Sequence, residues 1–141
     1  MNRTILFRGK REDNGEWVEG NLYISNMSGC YILQCKSFAK ETKDGLKMGD
    51  KVVSFEVLPE SVEQYIGLTD KNGVKIFEGD VIRAKGKRVF FIEYCCAITS
   101  YAARSTDGGP TAPCVNRGTM QVYEVIGNIH DNPELLGGDG D

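Results

Sequence analysis

The dipeptide Asn72-Gly73 is the feature that most constrains the fold of this chain, because it joins two short runs that contain apolar residues, 66–69 and 74–77. Asn-Gly between such runs is a strong hairpin signal, since a tight type I′ turn needs a positive φ at both central residues. Gly79-Asp80 turns the chain again before Val81-Ile82 begins another strand. Two sharp turns and three short strands in so short a stretch predict an antiparallel sheet.

Short strands separated by turn residues recur along the rest of the chain. The strand candidates are runs rich in β-branched and aromatic residues, at 4–8, 16–24, 30–35, 52–58, 81–84, 89–98 and 120–129. Two long segments without this pattern, 36–51 and 100–119, are expected to be loops, and the first contains predicted turns at Lys43-Asp44-Gly45 and Met48-Gly49-Asp50. Strands of this length and spacing predict a mainly β, small antiparallel barrel-like fold, with an SH3-like barrel over 67–129.

One short helix is expected near 60–66. Pro59 ends the preceding strand, and Ser61 followed by Gln64 matches the capping box, in which the two side chains satisfy each other's exposed backbone donors. Gly67 would end that helix.

The second predicted strand carries two informative residues. Trp17, the only tryptophan, is expected to anchor the core, and the alternative is an aromatic platform for a ligand. Gly20, inside the same strand, predicts a bulge or a close backbone approach.

The 141 residues suffice for one domain or for two small subdomains. We expect an N-terminal β subdomain over 1–58 and a small C-terminal β-barrel subdomain over 59–136 that share one core, with a frayed tail at 137–141. The net charge of −3 argues against a general nucleic-acid coat and leaves room for a local basic patch. No apolar run approaches the length of a membrane span, and the N-terminus lacks the apolar segment of a signal peptide, so a cytoplasmic protein without a membrane partner is expected.

The five cysteines are an odd number and include no Cys-x-x-Cys pair. This pattern argues against a disulfide framework and against a structural zinc site. We expect reduced thiols, no metal and no cofactor. Phosphate-loop and serine-elbow motifs are also absent from the sequence, and no small-molecule substrate is indicated.

A few titratable residues have both a catalytic and a structural interpretation. His130, the only histidine, stands beside Asp131-Asn132 in a predicted turn, and it is either a turn residue or a general base. Asp70, Glu78 and Asp80 could hold a divalent cation, but aspartates in turns usually accept hydrogen bonds from nearby backbone amides. The structural interpretation is favoured throughout.

One cluster has a functional interpretation that the sequence supports. Arg83, Lys85, Lys87 and Arg88 lie on a predicted hairpin with no acidic residue between Val81 and Phe90, so they could project together toward phosphates. The aromatic residues that follow, Phe90, Phe91 and Tyr94, could stack on bases. The alternative is a lysine-rich tip that protects a sheet edge from aggregation.

Four segments together resemble the YopX family of phage and prophage proteins. They are Phe7-Arg8-Gly9-Lys10 with Trp17, Tyr65 to Gly73, Ile76 to Ile82, and Glu124 to Leu136. The resemblance implies a small β-rich phage-encoded protein of the bacterial host cytoplasm that forms a homo-oligomer. It transfers no catalytic residue, since the matching positions are turn residues and core apolar residues.

Three functions are therefore weighed. The first is a non-enzymatic phage or prophage accessory protein that assembles with itself and binds another macromolecule. The second is a nucleic-acid-binding module that uses the basic 83–88 hairpin. The third is an enzyme with cysteine or carboxylate chemistry, which lacks an evident catalytic partner in the sequence.

Overall fold

The computed structural model describes residues 2–86, 88–108 and 114–136, and these are mainly β-strand, which confirms the predicted fold class. The chain divides into two units, one formed by Ile5–Val62 and one formed from Glu63 onward together with the residues before Ile5. The predicted boundary after residue 58 and the predicted shared core stay predictions. The frayed tail expected at 137–141 lies outside the described residues.

The first unit is built from four antiparallel strands, β1 (Phe7–Lys10), β2 (Trp17–Ser25), β3 (Gly29–Thr42) and β4 (Gly45–Val57), in the order β4-β3-β2-β1. The end of β4 returns to the end of β1 through a bridge between Arg11 and Val57 and a hydrogen bond from Leu58 N–H to the Lys10 carbonyl, 2.9 Å long. The four strands therefore curve toward a barrel, and Ile32 and Val57 are buried inside it.

Gly20 lies where the sequence predicts a close backbone approach, since a Cβ at this position would overlap the Leu33 carbonyl oxygen. Trp17 differs from expectation, because it is half-buried and its ring is covered by cations. The Arg8 guanidinium lies 4.7 Å and the Lys10 ammonium 5.8 Å from the ring centroid. The ring is thus a surface that two basic side chains of β1 cover, and the core-anchor prediction is wrong.

The short helix predicted near 60–66 is reduced to a single 3-10 turn at Pro59–Ser61, and Glu63–Thr69 is strand β5. The capping box fails because the Ser61 hydroxyl is used elsewhere. It accepts the Lys10 N–H at 2.8 Å and donates to the Leu58 carbonyl at 2.6 Å. Ser61 therefore fastens β1 to the turn instead of starting a helix.

The second unit contains strands β5 (Glu63–Thr69), β6 (Lys75–Phe77), β7 (Asp80–Arg83), β8 (Val89–Cys95), β9 (Ser100–Ser105) and β10 (Glu124–Asn128), with a short helix α1 (Arg117–Met120). β5 and β6 form an antiparallel hairpin, and the other four strands form an antiparallel sheet in the order β10-β7-β8-β9. This order begins and ends at different strands, so over the described residues the sheet is open and the SH3-like barrel expected for 67–129 does not close. Its core side chains are Ile76, Ile82, Ala84, Phe90, Ile92, Ala103, Met120 and Tyr123.

The segment 100–119, predicted to be a loop, contains β9 and the start of α1. β9 pairs with β8 from Phe90 opposite Ser105 to Cys95 opposite Ser100. Its small residues concealed it, but Ala103 is buried in the core, which explains why a small side chain is placed there. Residues 109–113 lie outside the described part of the chain.

The Asn72-Gly73 hairpin is confirmed, but its turn is not type I′. Gly73 has a φ of +79°, whereas Thr99 is the only non-glycine residue with a positive φ in the described part of the chain. The backbone closes with Asp70 N–H bonded to the Val74 carbonyl at 2.8 Å and Gly73 N–H to the Asp70 carbonyl at 3.0 Å. This is a three-residue hairpin loop in which the last residue is left-handed, the second common way to use glycine in a hairpin.

Candidate functional site

Two of the basic residues predicted to bind phosphates, Arg83 and Arg88, have an acidic residue opposite or beside them. Arg83 lies opposite Glu124 of β10 in the sheet. Arg88 Nη1 lies 3.7 Å from Asp107 Oδ1. Lys85 is exposed in the turn, and Lys87 lies outside the described residues. Arg83 lies within β7, opposite Val89, whereas Arg88 precedes β8, which begins at Val89.

Two of the aromatic residues that follow this hairpin, Phe90 and Tyr94, pack against other rings. Phe90 is buried and packs edge-on against Tyr123, with centroids 6.2 Å apart. Tyr94 is exposed and packs edge-on against Tyr101 at 5.5 Å. A buried ring cannot stack on a base, so Phe90 does not contribute to a binding surface of the predicted kind.

Two aspartates that could have been metal ligands serve as acceptors for backbone amides. Asp70 is buried, and its Oδ1 accepts the N–H groups of Asn72 and Val74 at 2.8 and 2.9 Å. Its Oδ2 accepts the Val125 N–H at 2.9 Å. Asp80, also buried, accepts the Phe77 N–H at 2.8 Å. Within the described ranges no three His, Cys, Asp or Glu side chains come together as a metal site would require.

His130 belongs to a turn that the side chain of Asn128 organises. Asn128 Oδ1 accepts the backbone N–H groups of His130 and Asp131, at 3.0 and 2.9 Å. The His130 ring reaches the buried Glu63 carboxylate, with Nε2 3.7 Å from Oε1. The turn position predicted for His130 is therefore confirmed, and the contact with Glu63 is one that the sequence did not indicate.

Burial raises the pKa of two groups of the second unit, the Glu78 carboxyl and the Tyr101 hydroxyl. It raises the pKa of Glu78, an effect partly offset by the Gln64 N–H that donates to Glu78 Oε1 at 3.2 Å. Burial also raises the pKa of the Tyr101 hydroxyl, and the negative charge of Glu78 adds to the effect.

The five cysteines are free thiols, each exposed or half-buried.

The most distinctive surface is a two-stranded ribbon that the sequence analysis assigned to a loop. β2 pairs with β3 only as far as Leu33, while β3 and β4 continue to pair out to Thr42 opposite Gly45. We call residues 35–52 the β-arm. All of its residues are exposed except Gly49, which is half-buried.

The prediction of a loop at 36–51 was wrong because Met48-Gly49-Asp50 was interpreted as a turn. In the structure Gly49 lies within β4, opposite Phe38. A Cβ at Gly49 would lie 3.2 Å from Phe38 Cζ, so the aromatic ring lies across the glycine. Lys43-Asp44 is the connecting turn, as predicted. Alternation gives no signal of this strand on β3, because the apolar residues Phe38 and Ala39 are adjacent and flanked by polar residues.

One face of the β-arm is basic. Directly opposed residues of antiparallel strands share a face, and the register pairs Lys36 with Lys51 and Lys40 with Lys47. Phe38 lies between these two pairs. We call the four lysines with Phe38 the lysine face. Over the described residues, none of the four lysines has a carboxylate within 4.0 Å.

The other face of the β-arm is largely apolar. It carries Leu46, Met48 and Val52, which are 63%, 72% and 67% exposed. Their register partners are Glu41, Ala39 and Cys35. Between them Ser37 donates a hydrogen bond to Asp50 Oδ1, 2.6 Å long. We call Leu46, Met48 and Val52 the apolar face.

Among the described residues, no helix has the length and apolar character that crossing a lipid bilayer requires.

Comparison with known proteins places this chain in a family. The crystal structure of protein EF1440 from Enterococcus faecalis is similar, with a TM-score of 0.61 and 25% sequence identity over 96% of this chain and 99% of that one. No curated protein matches the chain significantly in sequence. The family model described as YopX protein matches residues 6–137, nearly the whole chain, and includes all four segments on which the resemblance was based. The chain therefore belongs to the YopX protein family.

Proposed function

We propose that this chain is a non-enzymatic phage or prophage accessory protein that assembles with itself and binds another macromolecule. The observation that carries the proposal is the β-arm, which is exposed on both sides and has a different chemistry on each. Membership in the YopX family supports the phage or prophage origin. The free thiols support a reducing compartment such as the host cytoplasm.

The apolar face supports self-assembly. A two-stranded ribbon in water is marginally stable on its own, and it gains stability when one face packs against another element. Leu46, Met48 and Val52 expose most of their surface, and burial contributes about 25 cal/mol for each Å² removed from water. A two-fold axis brings the same patch of two copies together, so the apolar face of one copy would be covered by the apolar face of the other.

The non-enzymatic part rests on how the reactive side chains are used. Asp70 and Asp80 hold backbone N–H groups, and the Asn128 turn holds the backbone of His130. These are groups that set the shape of turns and sheet edges. The β-arm, in contrast, offers charge and apolar surface on an exposed ribbon, which suits recognition of a macromolecule.

The test is the mass in solution of the wild type and of a triple variant, Leu46→Gln, Met48→Gln and Val52→Thr, measured by light scattering over a wide concentration range. We expect the wild type to exceed the monomer mass at high concentration and the variant to stay monomeric. Met27→Gln is the matched control, since Met27 is 97% exposed in a turn outside the β-arm. A wild type that remains at monomer mass throughout would contradict self-assembly through this face.

A further inference from the structure

We propose that the lysine face of the β-arm binds the phosphate backbone of duplex DNA. This inference rests on the proposed function in one respect, namely that the β-arm is the surface on which another macromolecule is bound. It assigns the partner to nucleic acid and the contact to Lys36, Lys40, Lys47 and Lys51.

The first argument is the uncompensated charge. The two lysines of each pair lie directly opposite each other on neighbouring strands, and like charges so placed destabilise a sheet. No acid interrupts this face, because Glu41 and Asp50 alternate onto the apolar side. Lysines also protect exposed sheet edges, but edge protection does not require that like charges lie directly opposite each other on one face. A polyanion bound to this face would convert the repulsion into attraction.

The second argument is shape. Among the strands that the structure describes, none pairs with either edge of the β-arm beyond Leu33, and a two-stranded ribbon is narrow enough to enter the major groove of a DNA duplex. Lys36 and Lys40 are four residues apart on β3, so the two pairs are separated by about 13 Å along the ribbon. Lysine is a mobile point charge that suits phosphate contacts without base readout.

The composition of the face distinguishes duplex DNA from other polyanions. Binding of single strands uses several aromatic platforms, whereas this face has one ring, Phe38, which is 36% exposed and lies over Gly49. An amphipathic element that binds a membrane buries its apolar face in the lipid interface, whereas the apolar face of the β-arm, Leu46, Met48 and Val52, is the one proposed above to pack against a second copy. Backbone contacts to a duplex require charge alone.

The experiment measures binding of a mixed-sequence DNA duplex by fluorescence anisotropy across a range of salt concentrations. We expect non-specific binding with a Kd on the order of 10⁻⁵ M at physiological salt. The arm variant, with Lys36, Lys40, Lys47 and Lys51 all replaced by Gln, should lose most of this binding. The slope of log K against log salt should flatten by about 0.9 for each phosphate contact removed.

The matched control replaces Arg83, Lys85, Lys87 and Arg88 with Gln, which removes the same number of charges from the β7–β8 hairpin. This hairpin variant should bind as the wild type does. Circular dichroism and urea unfolding check that both variants fold. Loss of binding in the hairpin variant with retention in the arm variant would overturn the proposal and assign binding to the hairpin. Equal loss in both would overturn it as well, because it would indicate net charge alone.

Two further probes decide the partner class. Tighter binding to a single strand of the same sequence would overturn the assignment to duplex DNA, and tighter binding to vesicles with an anionic lipid would overturn the assignment to nucleic acid. A wild type that self-assembles in light scattering but shows no salt-sensitive binding to the duplex would overturn this inference and leave self-assembly standing. The two proposals therefore fail independently.

Discussion

Lys40 lies directly opposite Lys47 across the β3–β4 ribbon, on the same face and with no carboxylate within 4.0 Å in the described part of the chain. Such a pair lowers the stability of the segment that carries it. If binding requires these two lysine charges, the pair that favours binding also destabilises the β-arm.

Lys47→Glu should therefore stabilise the β-arm, because it places a carboxylate opposite Lys40. The expected gain is about 1 kcal/mol at low salt, seen as slower amide hydrogen exchange along β3 and β4. Lys43→Glu is the control, since it makes the same change of charge in the turn, where the residue has no cross-strand partner. Equal slowing in both variants would show that the opposed pair is not the cause.

Asp70→Ala should be among the most destabilising single changes in the second unit. It removes the acceptor of three backbone N–H groups, those of Asn72, Val74 and Val125, at a buried position. Unsatisfied donors cost roughly 1–3 kcal/mol each, and we expect a total loss of about 3–5 kcal/mol in urea unfolding. Asp44→Ala, in the exposed turn of the β-arm, should change stability little. A loss below about 1 kcal/mol for Asp70→Ala would mean that water replaces the carboxylate.

The turns were largely predictable from the sequence, because a glycine with positive φ and an aspartate beside it are local signals. Gly73 and Gly79 both have positive φ, and Asp70 accepts downstream amides as expected. The turn type at Asn72-Gly73 was not predictable from these local signals alone. Asp70 closes the turn and also reaches Val125, a contact between residues distant in sequence.

The β-arm could not be predicted from hydrophobic alternation, because neither of its faces is buried. Its strands exist through a long register of cross-strand pairs that begins near the core residue Ile32 and continues beyond the neighbouring strand β2. Polar composition with glycines ordinarily indicates a loop. Cross-strand pairing outweighed that local preference. Because the β-arm is not predicted, its lysine face and its apolar face are not predicted either.

Glu78→Gln should raise stability at neutral pH. Burial raises the pKa of Glu78 in the folded state, so the native protein holds the proton more tightly than the unfolded chain does. The stability linked to this group is present below the ordinary pKa of glutamate and is lost as the pH rises through the raised folded pKa. The Gln side chain keeps an oxygen that can accept the Gln64 N–H. Urea unfolding at several pH values should give matching stabilities at low pH and a more stable variant at neutral pH. The control is Glu60→Gln at an exposed position, which should unfold like the wild type at each pH. A variant that is less stable than the wild type at neutral pH would contradict this assignment.

Gly79→Ala and Gly73→Ala separate steric overlap from backbone strain. The two glycines have nearly the same φ, +81° and +79°, so alanine carries a similar backbone cost of about 1–2 kcal/mol at each. A Cβ at Gly73 meets nothing within 4 Å, whereas a Cβ at Gly79 would overlap Glu63 Oε2 in a buried position. Gly79→Ala must also displace the carboxylate that contacts His130, so it should cost at least about 2 kcal/mol more than Gly73→Ala in urea unfolding. Equal losses would show that the Glu63 carboxylate moves away freely and that its packing against Gly79 contributes little to the stability of the second unit.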